Sequence, residues 1–259
     1  MAHATGILII THHTQFCQAN SAKNFFQLFS RKGVDRNGNQ WYTMYVIKRA
    51  VALTKGIKTM RNMKLFEREI NLIVNEDLRM AVKSYMDEET PDYFWTDGAS
   101  SSGKYHPQFS QGEGGLVRHT KAVVMFAEEL LRMSSYAYMR EEYKDYVIAA
   151  CILHDTAKYG ISEYDKKAYK DHATNAAKAF ADYAEQVMDY KPSEFLLNAI
   201  ASHMGQWSTE KEDRPFTNID RCVHMADYMA SRSFIDIPSI TEEWHNVEYE
   251  MCVNGELPF

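Results

Sequence analysis

Several histidines and aspartates in the second half of the chain have the residue types and spacing of cation ligands. Cys151-Ile-Leu-His154-Asp155-Thr-Ala-Lys158 is an apolar stretch that ends in an adjacent imidazole and carboxylate. Two such groups at the end of a buried helix are costly unless something pairs with them. Consecutive helical residues point about 100° apart, so both can converge on ions near the terminus. Imidazole nitrogen with carboxylate oxygen suits Zn, Fe, Mn, Co or Ni better than Ca. Partners for the pair are His119, His172, His203 and Asp227, the last inside the otherwise apolar run Cys222-Val-His-Met-Ala-Asp-Tyr-Met. The order is H…HD…H…H…D, with gaps of 35, 18, 31 and 24 residues. Any one histidine reads as a satisfied core or helix-end residue; the ordered set reads as a metal centre. His224, three residues before Asp227 on the same helix face, reads as orienting Asp227 rather than binding metal.

These residues need helices to position them. Apolar positions recur at helical spacing and predict a long helix over about 64–87, closed before Pro91, and another over 116–134. The mostly apolar segment 146–157 has the pattern of a central helix buried all round. Further helices are expected at about 172–188, 193–204, 217–232 and 239–248, with Pro192 and Pro238 suited to starts. The fold class is all-α. Loops fall at 96–115, 159–170 and 205–215. The first is long and rich in Ser and Gly, a length usually tied to function or disorder. It carries Ser100-Ser-Ser-Gly-Lys104-Tyr-His106-Pro, then Gly114-Gly115, where the backbone can pass close to the site. Arg118, just before His119, can reach a phosphate or make a surface salt bridge. Tyr159, Tyr164, Gln206 and Trp207 flank the site; they could stack on a base, though packing is the default for aromatics.

The chain of 259 residues is 45% hydrophobic and 25% charged, an ordinary globular composition that excludes a disordered tail, a collagen repeat or a disulfide mini-scaffold. Its four cysteines show no C-x-x-C pair and read as free thiols of a reducing compartment. No apolar run approaches a membrane span and no signal peptide is evident, so the expectation is a soluble cytoplasmic protein without membrane association. The net charge of −6 conceals two pieces of opposite sign. Residues 1–62 hold nine Lys/Arg against Asp35 alone, a charge of +8, and the rest hold 20 basic and 34 acidic residues, a charge of −14. An acidic body argues against broad nucleic-acid affinity but not against nucleotides held locally through metal ions. Residues 1–62 contain the turn-rich RKGVDRNGNQWY, with a hairpin expected around Asn37-Gly38 and weaker helical signals at about 19–30 and 41–55. Three readings of this segment stand: an extension packed on the domain, a basic arm that contacts nucleic acid, or upstream sequence outside the working protein.

The combined motifs resemble the HD-domain metal-dependent phosphohydrolase superfamily over roughly residues 93–232. The carrying segments are Gly114-Gly-Leu-Val-Arg-His119-Thr, Ile152-Leu-His-Asp155-Thr-Ala-Lys158, Asp171-His172, Ser202-His-Met-Gly-Gln206 and His224-Met-Ala-Asp227. The pattern is most similar to the HD domain of YhaM-type 3′–5′ exoribonucleases. The resemblance implies an HD-type helical bundle over 63–259, preceded by the basic N-terminal extension. It also implies two divalent transition-metal ions (Mn, Fe, Co, Ni or Zn): one held by His119, His154, Asp155 and Asp227, the other by His172 and His203, with Asp155 bridging. The implied activity is cleavage of a phosphoester of a nucleotide or nucleic-acid end by attack of metal-bound hydroxide. Asp155 and Lys158 would be catalytic, and Lys104, His106 and Arg118 would contact substrate, a nucleotide or short oligonucleotide. The OB-type module of YhaM-type enzymes has no counterpart in this pattern, and the basic segment 1–62 is the alternative nucleic-acid contact. Two other readings share the ligand pattern: a di-iron oxygenase activating O2 for C–H or C–P oxidation, and a non-catalytic nucleotide-sensing HD protein.

Overall fold

A helix that is apolar on every face can be stable in water only when other helices enclose it. In the computed structural model, which describes residues 33–34, 40–41, 63–100, 106–161, 170–208 and 210–240, this helix is α5 (Glu141–Leu153), whose residues 145–153 are all buried. Val147, Ile148, Ile152 and Leu153 are 0–4% exposed, and each contributes about 1.5–3 kcal/mol by leaving water. Around α5 pack α4 (Gly115–Arg132), α7 (Glu194–Ala201) and α8 (Asn218–Ala230), and α6 (His172–Val187) packs against α7. Three elements precede this group: α1 (Glu67–Asn71), α2 (Glu76–Glu88) and the single turn α3 (Tyr93–Thr96). Short 3-10 turns lie at Met63–Phe66, Gln108–Ser110 and Gly205–Trp207. Among the described residues no helix is long and apolar enough to cross a membrane.

The chain divides into two compact units, Met1–Lys58 and Thr59–Phe259. The second is all-α in its described residues. In the first, β1 (Gly33–Val34) and β2 (Gln40–Trp41) pair antiparallel, Gly33 with Trp41 and Val34 with Gln40; the expected turn at Asn37-Gly38 itself falls outside the described residues. Trp41 is thus in a strand, not at the start of a helix. The weaker helical signals otherwise fall outside the described residues, as do Cys17, Cys252 and Lys104.

The expected continuous helix over 64–87 is broken. A 3-10 turn and α1 end at Asn71, and α2 starts at Glu76 with the Asn75 side chain capping the Leu78 amide. The cause is remote in sequence. The buried carboxylate of Asp145 on α5 accepts from the Val74 and Asn75 amides at 2.9 and 2.8 Å, which satisfies donors that a continuous helix would use internally. The central helix begins at 141, not 146, and stops at Leu153, so its end falls just before the His-Asp pair. The helix expected over 193–204 is shorter, ending at Ala201. Of the one expected at 239–248, the start at Pro238 is seen and the remainder falls outside the described residues. α8 carries a full capping box, in which Thr217 and Asp220 satisfy each other's backbone amides. Cys151 and Cys222 are free and buried.

Candidate metal centre

The last carbonyls of a helix have no partner within it, and here two of them aim histidines. His154 lies at the end of α5, and its Nδ1 meets the Cys151 carbonyl at 2.8 Å. His203, after α7, repeats the contact with the Ile200 carbonyl at 2.8 Å. A ring whose Nδ1–H donates to a carbonyl presents Nε2 on its other side, the arrangement of metal-binding imidazoles. His119, within α4, and His172, the first residue of α6, bring their rings to the same place. The Nε2 atoms of His119 and His154 are 3.4 Å apart, and those of His172 and His203 are 3.2 Å apart.

Asp155 lies between the two pairs. Its Oδ1 is 3.2 Å from His172 Nε2 and 3.7 Å from His203 Nε2. Its Oδ2 is 3.4 Å from His154 Nε2 and 3.7 Å from His119 Nε2. Asp227 Oδ1 completes the first pair, 3.1 Å from His119 Nε2 and 3.8 Å from His154 Nε2. Donor atoms of His119, His154 and Asp227 lie within 4.8 Å of one another, as do those of His154, Asp155 and His203. The four ring side chains are at most 3% exposed and Asp155 is 2% exposed, whereas Asp227 keeps 18%. The α8 side is therefore the open side of the centre.

Residues 116–232 match the family model for the HD domain. No curated protein and no solved structure matches the chain. HD domains are in general metal-dependent phosphohydrolases, and the donor set here fits a divalent cation. Imidazole nitrogens face each other in pairs, and the buried Asp155 Oδ1 and His119 Nδ1 have no hydrogen-bond partner. Such groups are expensive to bury without compensation, and a cation set between them supplies it.

The electrostatics of the centre point the same way. Burial opposes ionisation of Asp155, but Lys158 and His154 beside it hold its carboxyl well below the usual range. Asp227, half-buried, is also held low, by its bond to His119 and by the neighbouring imidazoles, against the desolvation of its site. Burial drives His119 down, and burial with His154 and His172 nearby takes His203 to about 3. His154 is raised despite burial because both carboxylates face it. The centre therefore favours ionised carboxylates at Asp155 and Asp227 and neutral imidazoles at His119 and His203, the protonation state that cations require.

Around this centre the candidate residues are placed differently from one another. Lys158 Nζ lies 2.5 Å from Asp155 Oδ2 and is 11% exposed, so it is paired with the carboxylate. His106 stacks edge-on against His119 with ring centroids 5.3 Å apart. Its Nδ1 is buried without a partner, and burial together with Lys158 and His119 lowers it to about 3, leaving it neutral. Lys104 lies outside the described residues. Arg118 corrects the expectation of a phosphate contact or surface salt bridge. Its buried guanidinium donates from Nε to the Phe109 carbonyl at 2.5 Å and from Nη2 to the Gln111 carbonyl at 2.9 Å. The Gln111 side chain in turn donates to the His106 carbonyl at 3.1 Å, so Arg118 positions the loop that carries His106. Gly115 permits this loop to close on α4, because a Cβ there would collide with the Ser110 carbonyl.

His224 does not bond to Asp227: its Nδ1 meets the His203 carbonyl at 2.7 Å. Tyr159 is buried, with its hydroxyl on the Gly98 carbonyl at 2.8 Å, which removes it as a stacking surface; Tyr164 lies outside the described residues. Two supports had no signal in the sequence. Tyr93 donates to the Gly160 carbonyl at 2.7 Å and accepts from the Tyr159 amide at 3.1 Å, bracing the turn after Asp155. Asp145, described above, fixes the entry to α2.

Proposed function

We propose that the protein is a dinuclear metal-dependent phosphohydrolase that cleaves a phosphoester of a nucleotide or nucleic-acid end. The observation that carries this reading is Asp155, one carboxylate whose two oxygens face two different pairs of imidazoles. The first cation would take His119, His154, Asp227 and Asp155 Oδ2; the second would take His172, His203 and Asp155 Oδ1. Divalent ions there supply Lewis acidity, lowering the pKa of water and offsetting phosphate charge. The chain's own residues do the rest. The Cys151 and Ile200 carbonyls keep two imidazoles in register, and His224 holds the His203 backbone from behind. Lys158 keeps Asp155 ionised and adds a positive charge where a phosphate would arrive. His106 presents a neutral ring beside His119. In the net reaction a water oxygen bonds to phosphorus, the ester P–O bond breaks, and the departing alkoxide receives a proton. The motif likeness to YhaM-type exoribonucleases supports a nucleic-acid end or a small nucleotide as the substrate class.

A phosphoester panel tests the reading: mononucleotides, dNTPs, cyclic nucleotides and short RNA or DNA, each with Mn, Co, Ni, Fe or Mg. Turnover that is lost in Asp155→Asn is expected. Metal-occupied wild type without turnover on any ester, or O2 uptake with a mixed-valent di-iron signal, overturns it.

A further inference from the structure

Trp207 presents an indole to solvent beside the metal centre. It is 51% exposed, whereas Trp95 in the core is 8% exposed. Large aromatics usually bury their area, so a half-exposed tryptophan that is nonetheless fixed in place calls for an occupant. Its ring lies nearly parallel to Tyr228, with planes 12° apart and centroids 5.8 Å apart. His224 packs against both rings at 6.3 Å. The Arg232 guanidinium lies 4.2 Å from the Tyr228 centroid and 5.8 Å from that of Trp207. It is pinned by bonds to the Tyr228 carbonyl at 3.0 Å and the Ser231 hydroxyl at 2.8 Å. His224 and Tyr228 sit at i and i+4 on α8, Arg232 lies just past the end of that helix at Ala230, and Trp207 stacks on Tyr228. About half of Trp207 stays open to solvent beside this stacked pair.

The platform is tied to the centre at two points. Trp207 follows His203 by four residues, and His224 joins the platform to the His203 carbonyl. Tyr228 directly follows Asp227, the most exposed of the six ligands. A phosphate seated on the centre would thus have its substituents directed towards the α8 side.

We infer that Trp207, stacked on Tyr228 and flanked by Arg232, is the platform on which the aromatic base of a phosphorylated nucleoside stacks while its phosphate occupies the metal centre. The inference rests on the phosphohydrolase reading and adds the residues that would select esters carrying a base over bare sugar phosphates. A flat π surface accepts any base, so the platform selects for the presence of a base rather than its sequence. The guanidinium contributes a fixed cation beside the stacked pair.

The test compares adenosine 5′-monophosphate with ribose 5-phosphate, which share the phosphomonoester and differ by the base. Full-length Mn-loaded protein is used, with apparent affinity taken as KM where the ester is turned over and as a calorimetric Kd where it is not. Wild type is expected to prefer the nucleotide. Trp207→Ala should reduce the nucleotide-to-sugar ratio about tenfold, the size of one base–aromatic stack, and Trp207→Phe should restore most of it. A wild type that handles both esters equally, or a ratio unmoved by Trp207→Ala, overturns the platform and leaves the hydrolase reading standing. A wild type that engages neither ester and turns over nothing in the phosphoester panel overturns both.

Discussion

Asp155→Asn separates a shared ligand from an ordinary buried acid. Each Asp155 oxygen faces its own imidazole pair, so the substitution takes a charged ligand from both sites at once. The first site would retain His119, His154 and Asp227; the second would retain only His172 and His203. A ligand present at a thousand times its Kd stabilises the fold by about 4 kcal/mol. In a unit of roughly 200 residues each kcal/mol raises Tm by about 2–4 °C. Two filled sites should therefore raise the wild-type Tm by about 16–32 °C over chelated protein, and one site by about 8–16 °C. Asp155→Asn should fall to the one-site range or below. The quantity to compare is the metal-loaded minus chelated difference for each variant, by calorimetry with Mn or Co, because the metal-free baseline also moves when Lys158 loses its partner. His172→Ala, which strips only the second site, should lose about half the shift. An Asp155→Asn protein that keeps the full wild-type shift, or a wild type that shows none, would refute the shared-ligand geometry.

Other expectations follow from the same contacts. Lys121 Nζ lies 3.0 and 3.1 Å from the two oxygens of the buried Glu69, so Lys121→Met should destabilise the fold by about 3 kcal/mol in chemical denaturation, leaving that carboxyl with only the more distant Arg68 at 3.4 Å; Lys121→Met with Glu69→Leu should recover much of the loss, and equal losses in both proteins would argue against the pair. Gly205 has φ +60°, and a Cβ there would collide with the His224 ring, so Gly205→Ala should cost about 1–2 kcal/mol in backbone strain and weaken metal binding at His203, as read by isothermal titration. Burial pushes the Cys222 thiol up to about 12 and the Cys151 thiol well above its usual value. The folded state then retains protons that the unfolded thiols lose from about pH 9, so stability should fall between pH 9 and 12 by about 1.4 kcal/mol per unit per thiol. Cys222→Ala should reduce that slope by one proton in pH-dependent unfolding, and an unchanged slope would exclude the thiol as its source.

How far the structure could be read in advance differs by residue, and the reason is distance along the chain. The helix around His119 was legible because its apolar positions recur every three or four residues, and it runs 115–132 against an expected 116–134. The continuous helix over 64–87 was a misreading, since what breaks it is a carboxylate at position 145, some 70 residues away. The six ligand candidates could be chosen from residue type and order, and the structure brings their donor atoms together. What Arg118 and His224 do could not be seen. Both bond to main-chain carbonyls, at Phe109, Gln111 and His203, and a carbonyl acceptor leaves no mark in an amino-acid sequence. Trp207 could be named as a flanking aromatic, but its orientation depends on Tyr228, 21 residues later.

Lys121 carries a consequence for where the folding unit begins. Its ammonium, 5% exposed, is bound by the Leu65 carbonyl at 2.7 Å and both Glu69 oxygens at 3.0 and 3.1 Å. Nearby, Phe66 meets the edge of Trp95 at 5.9 Å. All of these partners precede residue 116, where the family match begins. A fragment cut at the edge of that match would expose the apolar side of α4 and leave a buried cation without its counter-charge. The heritable module and the physical domain thus have different borders, and the domain includes the turn at 63–66 and the helix after it. Within the second unit, protease resistance should begin near residue 63, some fifty residues before the family boundary.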